Sequence, residues 1–365
     1  MKFNKPDYYL LSIFVALVVV GLIALASASM VKSQEAFGQP YYFLKRQLLF
    51  CLAVGVPLAF FGYAVNYKFW KKISVLAYAA MVDFLFLIFL PGLGVASGGA
   101  MRWLNLGPID FQPSEFAKLS LIIYLAAWLE PKISQRFGAK AVFIPFIILI
   151  GIVIGLIVLQ PNIGTAGLIA LIAVAMYFAA GAPIWQVGSL CAAGIAFFVA
   201  FIKIFPHAAN RFLIFLHPEL DPKGIGYQIN QALLAIGSGG FFGRGLGQSI
   251  QKFNYLPEVI GDSVFAVVAE EVGFVGVVVI LALFAGLAWR GYFVAKKAPD
   301  SLSRLLAFGI TSWIVFQAFI NIAAISGLIP LTGVPLPFIS YGSSGLLSAM
   351  LGMGILLNIS KYATK

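Results

Sequence analysis

The sequence predicts an all-α, polytopic membrane protein with about ten transmembrane helices and long extracytoplasmic loops. Hydrophobic residues make up 61% of its 365 residues and charged residues only 10%, which is more apolar side chain than a soluble core can bury. The apolar runs have the length that crosses a bilayer, and they are continuous rather than alternating, which disfavours a β-barrel. We therefore expect one integral membrane domain over residues 1–365.

Ten segments carry the apolar runs. In chain order they are 9–29, 47–65, 73–90, 116–128, 141–159, 162–181, 185–205, 263–290, 305–329 and 338–359. The first ends in ALASAS, which resembles a signal-peptide cleavage site, but its apolar region is longer than the usual 7–15 residues or so. We therefore expect it to be a membrane span.

The distribution of lysine and arginine predicts the orientation. If the N-terminus is cytoplasmic, the inner segments contain more of these cations than the longer outer loops do. The inner set is Lys2, Lys5, Lys68, Lys71, Lys72, Lys132, Arg136, Lys140, Arg290, Lys296, Lys297, Arg304, Lys361 and Lys365. Both termini are thus predicted to be cytoplasmic. This asymmetry and attraction to anionic lipid explain the net charge of +11, so we expect no nucleic-acid partner. The absence of a P-loop predicts no nucleotide cofactor.

Two outer segments, about 91–115 and 206–262, are long and patterned, so the working face is predicted to be extracytoplasmic. In the first, Glu115 and Lys118 lie three residues apart on one helix face, where they form either a structural ion pair or a functional one. Arg102 lies beside a tryptophan, which is also typical of an interfacial anchor.

The second outer segment contains six glycines around Arg244, between positions 237 and 247. This composition permits tight turns whose backbone amides converge on an anion, or equally a flexible re-entrant turn. Arg211, Lys223, Arg244 and Lys252 give the segment enough cationic reach to meet a diphosphate headgroup.

Four of the thirteen acidic residues lie close together near the eighth span. They are Glu258, Asp262, Glu270 and Glu271. Carboxylates near a bilayer are costly, so this grouping indicates a functional site. Asp262 and Glu270 are separated by about 12 Å of rise and about 80° of rotation on a helix, which disfavours a tight carboxylate pair. A single base is favoured, although Asp262 could instead be a helix N-cap.

Several motifs occur in a fixed order. They are RWLNLGPIDFQPSEFAKL, QPNIGTA, a long run from RFLIFLHPELDPKGIGYQ to YLPE, FAVVAEEVGFVG and SGLIPLTGVPLPFISYG. Through them the chain resembles the SEDS family, its FtsW and SpoVE branch more closely than its RodA branch. The resemblance implies a peptidoglycan glycosyltransferase that polymerises lipid II at the outer face of the bacterial cytoplasmic membrane. The YLPE ending favours the division-type branch, and hence septal cell-wall synthesis in cell division.

The resemblance also implies residue roles. The family's essential aspartate matches Asp262, which would act as general base on the acceptor hydroxyl while undecaprenyl diphosphate leaves with inversion. Arg102 and Lys118 match family motifs and would compensate the leaving charge, with Arg211 or Arg244 and a divalent cation, Mg or Mn. The other predicted substrate-binding residues are Glu115, Glu258 and Lys252. The predicted pocket-shaping residues are Glu270, Glu271, Ser340 and Tyr341.

The family resemblance further implies a partner, a transpeptidase of the class B penicillin-binding protein type, together with divisome regulators. Two other functions stay open at this stage. A lipid II flippase would use Glu270, Glu271 and Lys118 to line a polar path. A non-catalytic scaffold would only recruit the transpeptidase.

The chain departs from the family pattern at three places. Val259-Ile260-Gly261 precedes Asp262 where relatives commonly carry a polar pair. Asn162 stands where the QPDLGT motif has its aspartate, which removes one membrane carboxylate. SYGSSG replaces SYGGSS, a change small enough to preserve packing.

Overall fold

The computed structural model describes residues 5–97, 100–105, 110–132, 139–204, 206–221 and 223–363. Within them the chain forms a bundle of α-helices with one small β-sheet. The predicted helical, polytopic class is confirmed, and the sheet is an addition to it. Lys2, Arg136 and Lys365 of the predicted inner cations lie outside the described residues.

The helices have the following bounds in chain order. They are α1 Tyr8–Ala28, α2 Met30–Phe37, α3 Tyr42–Phe50, α4 Val56–Ala64, α5 Lys68–Leu87, α6 Pro113–Leu129, α7 Ile144–Leu159, α8 Ile163–Ala179, α9 Ile184–Ile204, α10 Pro206–Leu216, α11 Ile225–Ser238, α12 Val264–Lys296, α13 Ser301–Ile325 and α14 Ser343–Ser360. Each of the ten predicted spans coincides with one of these helices, or with α3 and α4 in succession.

Seven helical segments of the described chain are long and apolar enough to cross a membrane by length and composition alone. Among the other predicted spans, α8 is apolar but has only 17 residues. Helix α5 begins with lysines, and α6 contains the charged pair Glu115 and Lys118. These charges lower the mean hydropathy of the two helices, which are therefore less clearly recognisable as membrane spans than their neighbours.

Proline explains two irregular stretches. The π-helical turns Cys51–Gly55 and Ala139–Phe143 each come directly before a helix with proline in its first turn, Pro57 in α4 and Pro145 in α7. Proline has no N–H to donate to the preceding turn, and its ring clashes with the carbonyl there. A wider turn relieves both problems, and the span from α3 to α4 stays continuous.

The first outer segment folds into an antiparallel sheet of three strands, in the order β1 Gly94–Ser97, β2 Ala100–Asn105 and β3 Asp110–Phe111. Its register pairs Val95 with Trp103 and Leu104 with Phe111. Leu104 is buried, whereas Arg102 extends towards the connection between α7 and α8. The sheet therefore carries Arg102 into contact with the helical bundle.

Helices α13 and α14 form the centre of the bundle. The buried share of the span is 72% in α13 and 78% in α14, against 6% in α9. A helix that is apolar on all sides and exposed on nearly all of them is suited to a lipid environment. The polar side chains of α13 and α14 are therefore largely enclosed by protein.

Helix α12 is broken at Gly273, whose φ of 65° and ψ of −168° are accessible mainly to glycine. Gly243 packs against this break so closely that neither glycine has room for a Cβ atom. The backbone N–H groups of Phe274 and Val275 donate to the carbonyls of Gly240 and Phe241 at 2.9 and 3.1 Å. The glycine-rich loop between α11 and α12 is thus fixed to the broken helix.

Candidate functional site

Asp262 lies in the loop just before α12 and is half-buried. Ser263 is the N-cap residue of α12, and no side chain caps this helix. The alternative role of Asp262 as a helix N-cap is therefore wrong. Other contacts define the position of its carboxylate.

Three consecutive carbonyls that end at Asp262 are held from one side. The carbonyl of Gly261 accepts from the Ser340 hydroxyl at 2.7 Å, and that of Asp262 accepts from Asn321 Nδ2 at 2.9 Å. The carbonyl of the residue before Gly261 accepts from the backbone N–H of Tyr341 at 2.8 Å. Each peptide unit leading to the aspartate is thus anchored by α13 or by the segment before α14. The predicted pocket-shaping residues Ser340 and Tyr341 lie beside Asp262.

Glu258 turns the chain into this segment. Its φ is 51°, in the left-handed region, and its carbonyl accepts from the N–H groups of Gly261 at 2.9 Å and Ser263 at 3.3 Å. Val259 and Ile260, which follow Glu258 in the turn, are buried. Val259 packs into the hydrophobic core, so the apolar residues before Asp262 help to hold this turn in place.

A neutral side-chain amide lies beside the Asp262 carboxylate. Gln228 Nε2 lies 3.5 Å from Asp262 Oδ1 and donates at 3.0 Å to the Ser263 hydroxyl. The pKa of Asp262 is raised to about 6, mainly by burial and also by the nearby charge of Glu258, while the charge of Arg211 lowers it. A carboxylate with this pKa is suited to accept a proton near neutral pH.

Two arginines, Arg102 and Arg211, lie within electrostatic range of each other. Arg102 donates from Nε to the Gln160 carbonyl at 3.3 Å and from its terminal nitrogen to the Pro161 carbonyl. Arg211 donates to the Leu331 carbonyl at 3.4 Å. Burial and then the charge of Arg211 lower the pKa of Arg102, so the two guanidinium groups repel each other. An anion such as a diphosphate would relieve that repulsion.

The turn between α13 and α14 connects these groups. Its carbonyls accept from three side chains: Leu331 from Arg211, Val334 from Asn321 at 2.8 Å, and Pro335 from Gln317 at 2.8 Å. Asn321 and Gln317 lie one helical turn apart on α13, and both are buried. The sequence reading missed both, although two amides at that spacing in an apolar span are a signal that could have found them.

Lys118 and Glu115 form an ion pair inside the bundle. Lys118 Nζ lies 2.9 and 2.8 Å from the two carboxylate oxygens of Glu115 and donates to Gln317 Oε1 at 2.7 Å. The Lys118 side chain is fully buried, and Trp313 Nε1 also donates to Gln317 Oε1, at 2.7 Å. Gln317 also donates to the Pro335 carbonyl, so it connects the ion pair to the turn between α13 and α14. Direct contact with substrate, as the resemblance implies, stays a prediction for these two residues.

Lys252 lies in the interior as well. Its ammonium contacts Ser27 Oγ at 3.1 Å, the Gly247 carbonyl at 2.7 Å and Glu271 Oε1 at 3.0 Å. A lysine has three N–H donors, and these contacts use all of them. The structure therefore places Lys252 in a buried ion pair that joins α1 to α12, with no donor left for the substrate that it was predicted to bind.

Glu270 binds residues 249–251 of the loop between α11 and α12. It accepts from the Ser249 hydroxyl at 2.6 Å and from the N–H groups of Ile250 and Gln251 at 3.1 and 3.3 Å. Arg244 Nε lies 3.5 Å from Glu270 Oε1, and the Arg244 side chain is 38% exposed. Glu270 and Asp262 therefore have separate partners, consistent with the predicted single base.

The glycine-rich loop does not present its amides to an anion at Arg244 and Gly245. Their N–H groups donate at 3.0 Å to the carbonyls of Glu270 and Glu271. Because these amides are occupied by the broken helix, the arrangement favours the re-entrant turn over the anion-binding nest at this point. Arg244 keeps an exposed guanidinium that stays available to a headgroup.

The described residues contain no group of three or more His, Cys, Asp or Glu side chains that could hold a metal ion. Mg²⁺ is often bound by one or two carboxylates together with substrate phosphates and water. A cation bound in that way beside a leaving diphosphate would neutralise its charge. The requirement for Mg or Mn stays a prediction.

Comparison with known proteins places this geometry in a context. The family model FTSW_RODA_SPOVE, described as cell cycle protein, matches residues 8–365. The chain is 40% identical over 362 residues to stage V sporulation protein E of Bacillus subtilis, covering 99% of each chain. It is 39% identical over 359 residues to a probable peptidoglycan glycosyltransferase FtsW of Trichlorobacter lovleyi, covering 98% of this chain and 94% of the relative.

Solved structures resemble the fold over nearly its full length. One chain, from work on structural coordination of polymerization and crosslinking by a peptidoglycan synthase complex, matches with a TM-score of 0.78 and 29% identity, covering 98% of both chains. The rod shape determining protein RodA of Thermus thermophilus matches with a TM-score of 0.71 and 29% identity, also covering 98% of both.

Proposed function

The chain belongs to the SEDS family of FtsW, RodA and SpoVE proteins, and from that premise we propose that it polymerises lipid II into glycan strands. Its enzyme class is peptidoglycan glycosyltransferase, because several full-length relatives carry that name. It is a multi-pass membrane protein. We further propose that both termini are cytoplasmic and that the reaction occurs at the extracytoplasmic face, where the long loops are predicted to lie.

One observation carries the mechanism: a carboxylate with a raised pKa interacts with the charge of Arg211, which in turn interacts with that of Arg102. Asp262 takes the proton of the acceptor sugar's 4-hydroxyl as that oxygen forms a bond to the anomeric carbon of the donor. The bond from this carbon to the lipid diphosphate breaks on the opposite face, which inverts the configuration. Arg102 and Arg211 stabilise the departing undecaprenyl diphosphate.

The same relatives support a cellular setting and a partner for the reaction. Similarity to proteins named FtsW and the cell cycle description of the family support septal synthesis during cell division. The likeness to a synthase complex that coordinates polymerization and crosslinking supports a transpeptidase of the class B penicillin-binding protein type as partner, with divisome regulators acting on the pair.

The flippase alternative requires Lys118, Glu270 and Glu271 to line an open polar path. All three are buried and bonded to protein groups: Lys118 to Gln317, Glu270 to Ser249, and Glu271 to a lysine. No observation favours that path over the base at Asp262. The scaffold alternative predicts unaltered division with Asp262→Asn and no glycan strands from the purified unaltered complex, so the experiment below separates it from the proposed function.

The deciding experiment supplies labelled lipid II to the purified protein in complex with its transpeptidase partner. We expect glycan strands from the unaltered chain and none from Asp262→Asn, which keeps the shape of the side chain but removes the base. Asp83→Asn is the matched control, since Asp83 is exposed on α5 far along the chain from the site. If the unaltered complex makes no polymer, the proposed function is wrong; if Asp262→Asn polymerises normally, only the base is wrong.

A further inference from the structure

Asn321 lies at the junction of the site's two backbone segments. Its side chain is 1% exposed, and its Nδ2 donates to the Asp262 carbonyl at 2.9 Å and to the Val334 carbonyl at 2.8 Å. Both partners are pure acceptors, so the orientation of the amide is determined by them. Asn321 Oδ1 is buried and has no hydrogen-bond partner within the described chain.

The two carbonyls come from distant parts of the sequence. Asp262 is 59 residues before Asn321, and Val334 is 13 residues after it. One NH₂ group therefore joins the loop before α12 to the turn before α14. The same turn accepts from Arg211 through Leu331, so the distance between the carboxylate and this arginine depends on the junction.

We propose that Asn321 is a positioning residue, which fixes the Asp262 backbone so that the carboxylate points at the acceptor hydroxyl. This inference rests on the proposed function, because it assigns Asn321 a share in the work of the proposed base. Asn321 does not touch the carboxylate, and its effect is transmitted through the peptide unit of Asp262. A displacement of about 1 Å in a catalytic group can cost about 100-fold in rate.

The pKa of Asp262 provides a readout that the loss of a merely structural residue would not change. The charged groups acting on Asp262 are Glu258 from its own loop and Arg211 from α10, and Gln228 of α11 is neutral. Burial is the main reason for the raised pKa of Asp262. A carboxylate released from its anchor gains water, so its pKa should fall towards the ordinary value.

Three substitutions separate the possible roles. Asn321→Leu removes both donors at similar volume, and Asn321→Asp keeps the shape but turns a donor into a charged acceptor facing two carbonyls. Asn321→Gln retains the amide on a longer chain and should rescue part of the activity. It also keeps the test valid if the leucine variant folds poorly.

Asn358→Leu is the matched control. Asn358 is fully buried in α14, donates to the Tyr63 carbonyl at 2.6 Å and accepts from the Tyr67 N–H at 3.1 Å. It therefore joins backbone segments just as Asn321 does, but its contacts involve neither Asp262 nor the turn at 331–336. Loss of stability should be similar in the two variants.

The experiment measures lipid II polymerisation per folded complex as a function of pH. For Asn321→Leu we expect kcat to fall about 10- to 100-fold, KM to change little, and the acid limb of the kcat profile to move to lower pH. For Asn358→Leu we expect an unmoved acid limb and a kcat close to that of the unaltered chain. Partial recovery of kcat in Asn321→Gln completes the expected pattern.

The possible failures are distinct. An unaltered chain that makes no glycan overturns the proposed function and this inference together. An active unaltered chain with a normal kcat and acid limb in Asn321→Leu overturns the positioning role alone. Equal changes in the Asn321 and Asn358 variants also overturn it, since they would reflect general destabilisation.

Discussion

The Ser340 hydroxyl donates a 2.7 Å hydrogen bond to the carbonyl of Gly261, and so ties the segment before α14 to the residue that precedes Asp262. The same oxygen accepts from the N–H of Leu336 at 2.8 Å. One buried hydroxyl therefore serves two backbone groups that belong to different segments. The pocket-shaping role of Ser340 stays a prediction, and these two contacts support it.

Ser340→Ala should weaken both folding and polymerisation. The substitution leaves a buried carbonyl at Gly261 and a buried N–H at Leu336 without their partner, which costs about 1–3 kcal/mol each. Thermal unfolding in detergent and a lipid II polymerisation assay measure the two effects. Ser348→Ala is the control, because the Ser348 hydroxyl donates only to Gly345 in its own helix. Equal effects of the two substitutions would contradict a specific role for Ser340.

The polymerisation rate should rise with pH through an acid limb near the pKa of Asp262, about 6. A general base works only when it is deprotonated, so activity is lost as the pH falls through that value. Glu258→Gln removes the neighbouring negative charge that helps to raise this pKa, and the limb should therefore move to lower pH. The measurement is kcat against pH for both proteins. A limb that stays in place, or moves to higher pH, would exclude Asp262 as the group that titrates.

The span positions were predictable because long apolar runs leave few alternatives in a bilayer. The small sheet was not, since β1 and β2 have only four and six residues and no extended alternation. The break in α12 was also hidden. Gly273 lies near the start of the apolar stretch that follows Glu271, and the contact with Gly243 reveals why glycine stands there.

At the site, sequence reasoning selected residue types but could not tell exposed cations from buried ones. Lys252 and Arg211 both read as cations of the second outer segment. The fold buries Lys252 against Glu271 and leaves Arg211 exposed. Asn321 was missed because a neutral amide carries no charge signal, although its burial and two carbonyl partners connect it directly to Asp262.

Removing Lys252 should destabilise the fold strongly. Lys252→Met leaves Glu271 buried without its counter-ion, which costs about 3–5 kcal/mol, and the double variant with Glu271→Leu should lose less. Lys71→Met is the comparison, because the ion pair of Lys71 with Glu130 is 50% and 25% exposed and is worth about 1 kcal/mol at most. Melting temperatures of the variants, measured in the same detergent, test this order of stability losses. Similar losses for Lys71→Met and Lys252→Met would contradict it.

Lys118→Met should act through the structure of the site. The substitution leaves Glu115 buried and unpaired and removes a donor to Gln317, whose amide holds the Pro335 carbonyl. We expect a lower melting temperature and a lower kcat, with KM for lipid II little changed. Combining it with Glu115→Gln should restore part of the stability. A raised KM with unchanged melting would instead support the direct substrate contact that the family resemblance implies.

Arg211→Ala should weaken use of the lipid diphosphate more than it weakens the fold. The Arg211 side chain is exposed and makes one long hydrogen bond to Leu331, so little packing is lost. A charged hydrogen bond is worth about 1.5–3 kcal/mol, which corresponds to roughly a 10- to 100-fold loss in kcat/KM. Arg211→Lys should retain part of the activity as a point charge that cannot bind the diphosphate in the bidentate manner. Arg304→Ala, at an exposed position of α13 near its start, is the control. Equal kcat/KM values for the Arg211 and Arg304 variants would remove Arg211 from the diphosphate site and leave Arg102 to bind the leaving group alone.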